Sequence, residues 1–304
     1  MRRVCLVNSF NYAQFLPACL SSIELQSTQF DLVVVVDDGS SDQSRGIIES
    51  YCNRLSGWVA LFKSNGGQLS CFNACVQLVE EDDIVTFLDA DDVYPADYLA
   101  SLLRRVDKHQ ADFYFGEAVQ FQDGKAQPLI SAVLCDRTDF VIPCSSAMAR
   151  RFGAWIGSPT SAIAVRGRLL KDILPYPHER EWVTRADDVL VFGASLLGAS
   201  KVYMPGVGVG YRVHGNNGFL GKKYSAGYIA QRAHKLEKLF GWYCQKQSIP
   251  VEACARLAVQ EHVLVPNALL KRLQVHKVKT TKSLSLLDRW SLWNRRRKFH
   301  SQSA

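Results

Sequence analysis

The run Asp31-Leu32-Val33-Val34-Val35-Val36-Asp37 constrains the fold more than any other stretch, because its four successive valines leave no polar face. Successive side chains of a strand point to opposite faces, so such a strand has to be covered on both sides. The first ~115 residues around it alternate in the same way. Arg3–Asn8 reads as a strand and Tyr12 to about Gln26 as a helix with Pro17 near its start. Gln43–Leu55 reads as a helix, Trp58–Lys63 as a strand, Leu69–Val79 as a helix and Ile84–Leu88 as another buried strand. Strands alternating with helices imply a mostly parallel α/β sheet flanked by helices, and such sheets bind ligands at the carboxyl ends of their strands.

Beyond a strand at Phe113–Phe121 the pattern loosens into a Gly-, Pro- and Ser-rich middle, about 122–180. A helix follows near Asp188–Leu197, and Lys201–Tyr211 reads as an edge-type strand because it contains Pro205. From about Tyr224 the chain is helical. A length of 304 residues fits one large domain or two moderate ones, and 47% hydrophobic residues suffice for a real core. No apolar run reaches the ~18 residues that span a bilayer, and the start lacks the features of a signal peptide. Cys5, Cys71 and Cys75 sit among apolar residues and no CxxC pair occurs, so the nine cysteines suit a reducing cytoplasm better than a disulfide scaffold.

Two acidic clusters follow buried strands. Asp37-Asp38-Gly39-Ser40-Ser41-Asp42 offers acceptors where a nucleobase or ribose could donate, or else caps the next helix. Asp89-Ala90-Asp91-Asp92 puts Asp89 and Asp91 on one side of an extended segment, where two carboxylates need a cation to stay ionised. Hard oxygen donors suit Mg²⁺ or Mn²⁺, which bridges phosphates. Asp92 points elsewhere and is expected to cap the helix that starts near Tyr94. A third pair, Asp187-Asp188, opens a helical run, either favoured there by the helix dipole or aimed at an incoming hydroxyl as a general base. Arg212 and His214 share a face downstream, suited to a diphosphate or a metal shell.

Taken in order, these motifs resemble the family 2 glycosyltransferases of the GT-A fold. The stretches that carry the resemblance are Val7-Asn8-Ser9-Phe10-Asn11-Tyr12, Asp37–Asp42, Asn65-Gly66-Gly67 with Asn73, Phe87–Asp92, Gly157–Ser161, Asp187-Asp188 and Tyr211–His214. The resemblance covers roughly 1–220. It implies a nucleotide-sugar half (1–115), an acceptor-side half (116–220) and a C-terminal helical, basic extension (221–304). It also implies a UDP-sugar or related donor, a glycan or lipid-linked hydroxyl acceptor, inversion, and a role in polysaccharide, glycolipid or cell-surface glycan synthesis. Asn8, Ser9, Asp38 and Asn65 would lie beside the nucleotide, and Asp89 at the ribose or metal. Asp91 would ligate Mg²⁺ or Mn²⁺, with His214 beside the diphosphate or metal. Asp188 matches the family's catalytic aspartate, although the family usually reads Glu-Asp where this chain has Asp187-Asp188.

Two other readings use the same residues. Asp89-Ala90-Asp91-Asp92-Val93 also resembles the haloacid-dehalogenase phosphatase motif, and a GT-A-like domain can bind a nucleotide sugar without turnover. The net charge of +7 comes mainly from the segment after Lys271, where basic residues meet the single carboxylate Asp288. Residues 284–298 interleave Leu and Trp with Arg, which suits peripheral contact with anionic lipid on the inner face of a membrane. No motif supports nucleic-acid binding.

Overall fold

The computed structural model describes residues 1–123, 138–215, 217, 224–246, 253–265 and 269–270. Its strands are β1 (Arg3–Ser9), β2 (Leu32–Asp37), β3 (Trp58–Phe62), β4 (Ile84–Asp89), β5 (Phe113–Phe121), β6 (Phe140–Ile142), β7 (Ile163–Arg166) and β8 (Lys201–Arg212). The helices are α1 (Leu16–Glu24), α2 (Ser44–Arg54), α3 (Gln68–Cys75), α4 (Tyr98–His109), α5 (Ser146–Phe152), α6 (Gly167–Ile173), α7 (Ala186–Leu196), α8 (Ala226–Gln245) and α9 (Ala253–Leu264). All the strands join one sheet in the order β3-β2-β1-β4-β7-β5-β8-β6.

The valines of β2 explain the layering. Val33 and Val35 pack with Leu16, Leu20 and Ile23 of α1, Ile48 of α2 and Leu99 of α4. Val34 and Val36 point the other way, into a core shared with Leu69 and Phe72 of α3 and Val189 and Phe192 of α7. Each buried valine contributes about 1.5–3 kcal/mol relative to an exposed one, so the strand is stable only between two helix layers. Leu239 and Tyr243 of α8 join the second core, which seats that helix on the body.

β3, β2, β1 and β4 run parallel, and β1 lies between β2 and β4. The order therefore reverses beside β1, which opens a crevice at the carboxyl ends of β1 and β4. In the register of these strands Asn8 faces Asp89 on one side and Val36 on the other.

The Gly/Pro/Ser-rich middle holds more regular structure than its composition indicates. β7 enters antiparallel between β4 and β5, which makes the sheet mixed. It spans four residues between helical turns, too short for periodicity to register. β8 is not simply an edge strand. Its first residues lie between β5 and β6, and Pro205 falls where the β5–β8 register shifts between Tyr203 and Gly208. The missing N–H of proline is tolerated in such a bulge. Cys5, Cys19, Cys71 and Cys75 are buried free thiols, as small hydrophobes would be.

Lys201 is fully buried, donating through Nζ to the carbonyls of Ile156 and Val191 at 2.9 Å each. Burial holds its pKa well below the ordinary lysine value. Between that lowered value and about 10.4, the unfolded chain binds more protons than the folded one, so stability rises with pH. Lys201→Met should remove this slope. Urea unfolding at pH 7 and pH 9.5 checks it: the wild type should gain stability relative to Lys201→Met, and equal changes would contradict the assignment.

Candidate active site

The crevice is a cavity of about 750 Å³ lined from both sides of the sheet. Asn8, Ser9, Asp38 and Asn65 form one end, Asp89 and Asp91 the floor, and Trp155, Arg185, Asp187, Tyr228 and Arg232 the other end. Asn8 Oδ1 and Ser9 Oγ are buried without a hydrogen-bond partner. Buried polar atoms are seldom left so, and two of them on a cavity wall mark a place where a polar ligand completes the structure.

Asp38 is held from three directions. Its carboxylate accepts from Lys63 Nζ (2.5 Å), Gly66 N–H (2.9 Å) and Gly67 N–H (2.7 Å). It therefore shapes the Asn65-Gly66-Gly67 turn as well as lining the cavity. The helix-capping alternative belongs to Asp42, whose Oδ1 accepts from Ser44 N–H at 2.9 Å. Gly67 has φ +89°, and an added Cβ would lie 2.3 Å from Val183 Cα. Only glycine allows the turn and the 183–187 loop to approach this closely.

The acidic floor is tied down by side chains from distant elements. Asp89 Oδ1 accepts from Gln68 Nε2 at 2.7 Å, and its backbone N–H donates to Ser161 Oγ at 3.1 Å. Asp91 Oδ2 meets His214 Nε2 at 2.9 Å. Asp92 does not cap a helix, since α4 starts at Tyr98 with Asp97 in the N-cap position. Instead it accepts from Ser161 Oγ (2.6 Å) and Arg212 N–H (2.9 Å), fastening β4 to β8. Arg212 likewise turns away from the cavity: it is 4% exposed and donates through Nε to the Asp91 carbonyl at 2.7 Å. His214 lies behind the cavity floor, touching the site through its contact with Asp91 and through its ring against Tyr12.

Burial, reinforced by the Asp91 carboxylate, pushes the Asp89 carboxyl up to about 7. The same causes raise Asp92. Negative charge packed this tightly is stabilised by a cation. Among the described residues no three His, Cys, Asp or Glu side chains converge on one point. The Asp89 and Asp91 carboxylates are hard oxygen donors of the kind that hold Mg²⁺ or Mn²⁺ together with water and phosphate oxygens.

Asp187 and Asp188 have opposite surroundings. Arg185, in the left-handed region at φ +67°, begins α7 and turns Asp187 into the cavity. Burial and the neighbouring Asp188 push the Asp187 carboxyl up to about 7. Asp188, the residue expected to face the acceptor, is fully buried. Each of its oxygens accepts one bond from Arg185 and one from Arg232, at 2.8–3.0 Å. Four bonds fill its lone-pair sites, which leaves none for a substrate proton. Sequence reasoning also missed Gln68, Trp155, Tyr228 and Arg232. Gln68 adjoins a quoted motif, whereas the other three lie in segments with no motif.

Residues 5–144 match the family model described as glycosyl transferase family 2. Over that stretch the chain is similar to glycosyl transferase family 2. An uncharacterized glycosyltransferase of Nostoc sp. is 27% identical over 226 residues, 71% of this chain and 66% of that protein. The poly(ribitol-phosphate) beta-N-acetylglucosaminyltransferase TarS of Staphylococcus aureus is 30% identical over 115 residues, 37% of this chain and 20% of TarS. The matched region thus spans less than two thirds of these family relatives' own length. The crystal structure of a TarS fragment with UDP-GlcNAc superposes with TM-score 0.62 at 20% identity, over 91% of this chain and 77% of that one. A Pyrobaculum calidifontis mannosyltransferase with GDP-Man and Mn²⁺ superposes with TM-score 0.53 at 18% identity, over 96% of this chain and 79% of that one. The architecture is the GT-A fold, and the phosphatase reading falls with it. No described helix is long and apolar enough to cross a membrane. Residues 284–298, and the domain boundary expected near 220, lie outside the described residues.

Asp188→Asn would leave two guanidiniums facing a neutral amide in a buried site. Its expected cost is roughly 3–5 kcal/mol of stability, read as a fall in the urea midpoint. An unchanged midpoint would show that the Arg185–Asp188–Arg232 cluster is not structural.

Proposed function

We propose that the chain transfers a sugar from a nucleotide-diphospho-sugar to an acceptor hydroxyl, with inversion and dependence on Mg²⁺ or Mn²⁺. The observation that carries this reading is that one cavity joins the unpartnered Asn8 Oδ1 and Ser9 Oγ, the Asp89–Asp91 floor and the Asp187 carboxylate. The family relationship and the nucleotide sugars bound by the structural neighbours support the donor class, with UDP-sugars first because of TarS. Asn8, Ser9, Asp38 and Asn65 would hold the nucleoside, and Asp89 the ribose or metal. Asp91, steadied by His214, would be the principal metal ligand. The bound ion would offset the charge that develops on the diphosphate as it leaves.

Asp187 is the candidate base, in place of Asp188. A carboxylate with its pKa near 7 is matched to taking a proton from a hydroxyl at neutral pH. Asp187 would accept the acceptor's proton as the acceptor oxygen bonds to the anomeric carbon. The bond from that carbon to the phosphate oxygen breaks on the opposite side, and the nucleoside diphosphate departs. The Arg185–Arg232 clamp on Asp188 would hold this neighbouring carboxylate fixed. The basic, Trp-bearing residues 284–298 suit an inner membrane surface, where a lipid-linked acceptor would be presented.

Two measurements test the proposal. A thermal-shift screen of UDP- and GDP-sugars with and without Mn²⁺ should show stabilisation that needs both metal and nucleotide; no shift with any pair would count against it. Asp187→Asn should lower kcat by about 10²–10⁴-fold with little change in melting temperature. Retained turnover would remove Asp187 from the role. The rate should fall as pH drops through about 7 in the wild type, because protonated Asp187 cannot accept a proton.

A further inference from the structure

The side chain of Gln68 connects the two halves of the cavity. Its Nε2 donates to Asp89 Oδ1 at 2.7 Å and lies 3.2 Å from Thr160 Oγ1. Its Oε1 accepts from the backbone N–H of Ala186 at 3.0 Å. Ala186 is the first residue of α7 and immediately precedes Asp187. The orientation of the amide follows from its partners. A flipped amide would set its oxygen against the Asp89 carboxylate and its NH₂ against an N–H, two repulsive contacts in place of two bonds.

The backbone around Gln68 is anchored to the same loop. Its own N–H donates to the Val183 carbonyl at 2.9 Å, and the Leu69 N–H donates to the Trp182 carbonyl at 3.3 Å. The first turn of α3 is thus docked on residues 182–183, and the Gln68 side chain reaches past them to residue 186. One residue therefore touches the donor-side carboxylate and the start of the helix that carries the candidate base.

We infer that Gln68 is a positioning residue that sets the distance between the donor held at Asp89 and the base at Asp187. This role rests on the glycosyl-transfer reading. Gln68 makes no bond to a reacting atom; it acts through Asp89 and Ala186. Displacing a reacting group by about 1 Å is enough to cost on the order of 10²-fold in rate, which is the scale on which such a brace acts.

Two variants separate the ends of the amide. Gln68→Glu keeps an oxygen for the Ala186 N–H and loses the donor to Asp89, whereas Gln68→Met keeps neither. Turnover of the donor that the wild type uses should show kcat lowered by roughly 10–100-fold in Gln68→Met, with the melting temperature held to within a few degrees. Gln68→Glu should lose less kcat and show its main cost as a raised KM for the donor. Hydrogen–deuterium exchange should speed up at the Ala186 amide in Gln68→Met and stay slow in Gln68→Glu. A Gln68→Met kcat within twofold of wild type, or equal kcat losses with unchanged exchange at Ala186, would overturn the inference while leaving the transferase reading intact. A wild-type chain that turns over no sugar nucleotide would overturn that reading first, and this role with it.

Discussion

The structure depends on burying carboxyl groups at the carboxyl end of β4 with donors to satisfy them. Asp92 is the clearest case. It is almost wholly buried and accepts from Ser161 Oγ and from the Arg212 N–H, so segments 69 and 120 residues away in sequence close over one carboxylate. Breaking either bond would leave a buried carboxyl oxygen without its donor, which is costly in a medium of low polarity. The fold therefore has to bring β8 and the 160–162 turn to β4. In doing so it builds the rear wall of the cavity.

Asp89 and Asp91 are the members of this cluster that remain turned to the cavity. Gln68 and His214 each supply one contact to them, which orients the carboxylates while leaving part of each open. A similar division appears at the start of α7. There Asp188 is satisfied entirely by two guanidiniums, and Asp187 faces the cavity. In both places one carboxylate holds the architecture while its neighbour lines the cavity. The number and direction of the donors supply the difference: Asp92 and Asp188 are closed in by their hydrogen-bond partners, whereas Asp89 and Asp187 keep part of each carboxylate turned to the cavity.

Much of this was legible in the chain. The valines of β2 required two covering layers, and the structure places Val33 and Val35 against one and Val34 and Val36 against the other. The βα alternation of the first 115 residues is present nearly as read. The acidic residues at the ends of β2 and β4 could be recognised because local sequence places them at the mouth of a parallel sheet. The register at Asp187-Asp188 was not legible. Both residues begin the same helix, and which one faces the cavity depends on the left-handed turn at Arg185 and on Arg232, 44 residues farther along. β7 was hidden as well, because four residues cannot establish a period.

The amino-acid sequence by itself determined the doubly covered sheet, the end of the sheet at which the cavity opens, and the set of acidic residues gathered there. These follow from alternation and strand polarity, which are local properties of the chain. Only the tertiary structure decided which of those acids stay open to a ligand. Opening or closing a carboxylate depends on donors such as Ser161, Arg212 and Arg232 that approach from far along the sequence, and no local pattern specifies where they arrive.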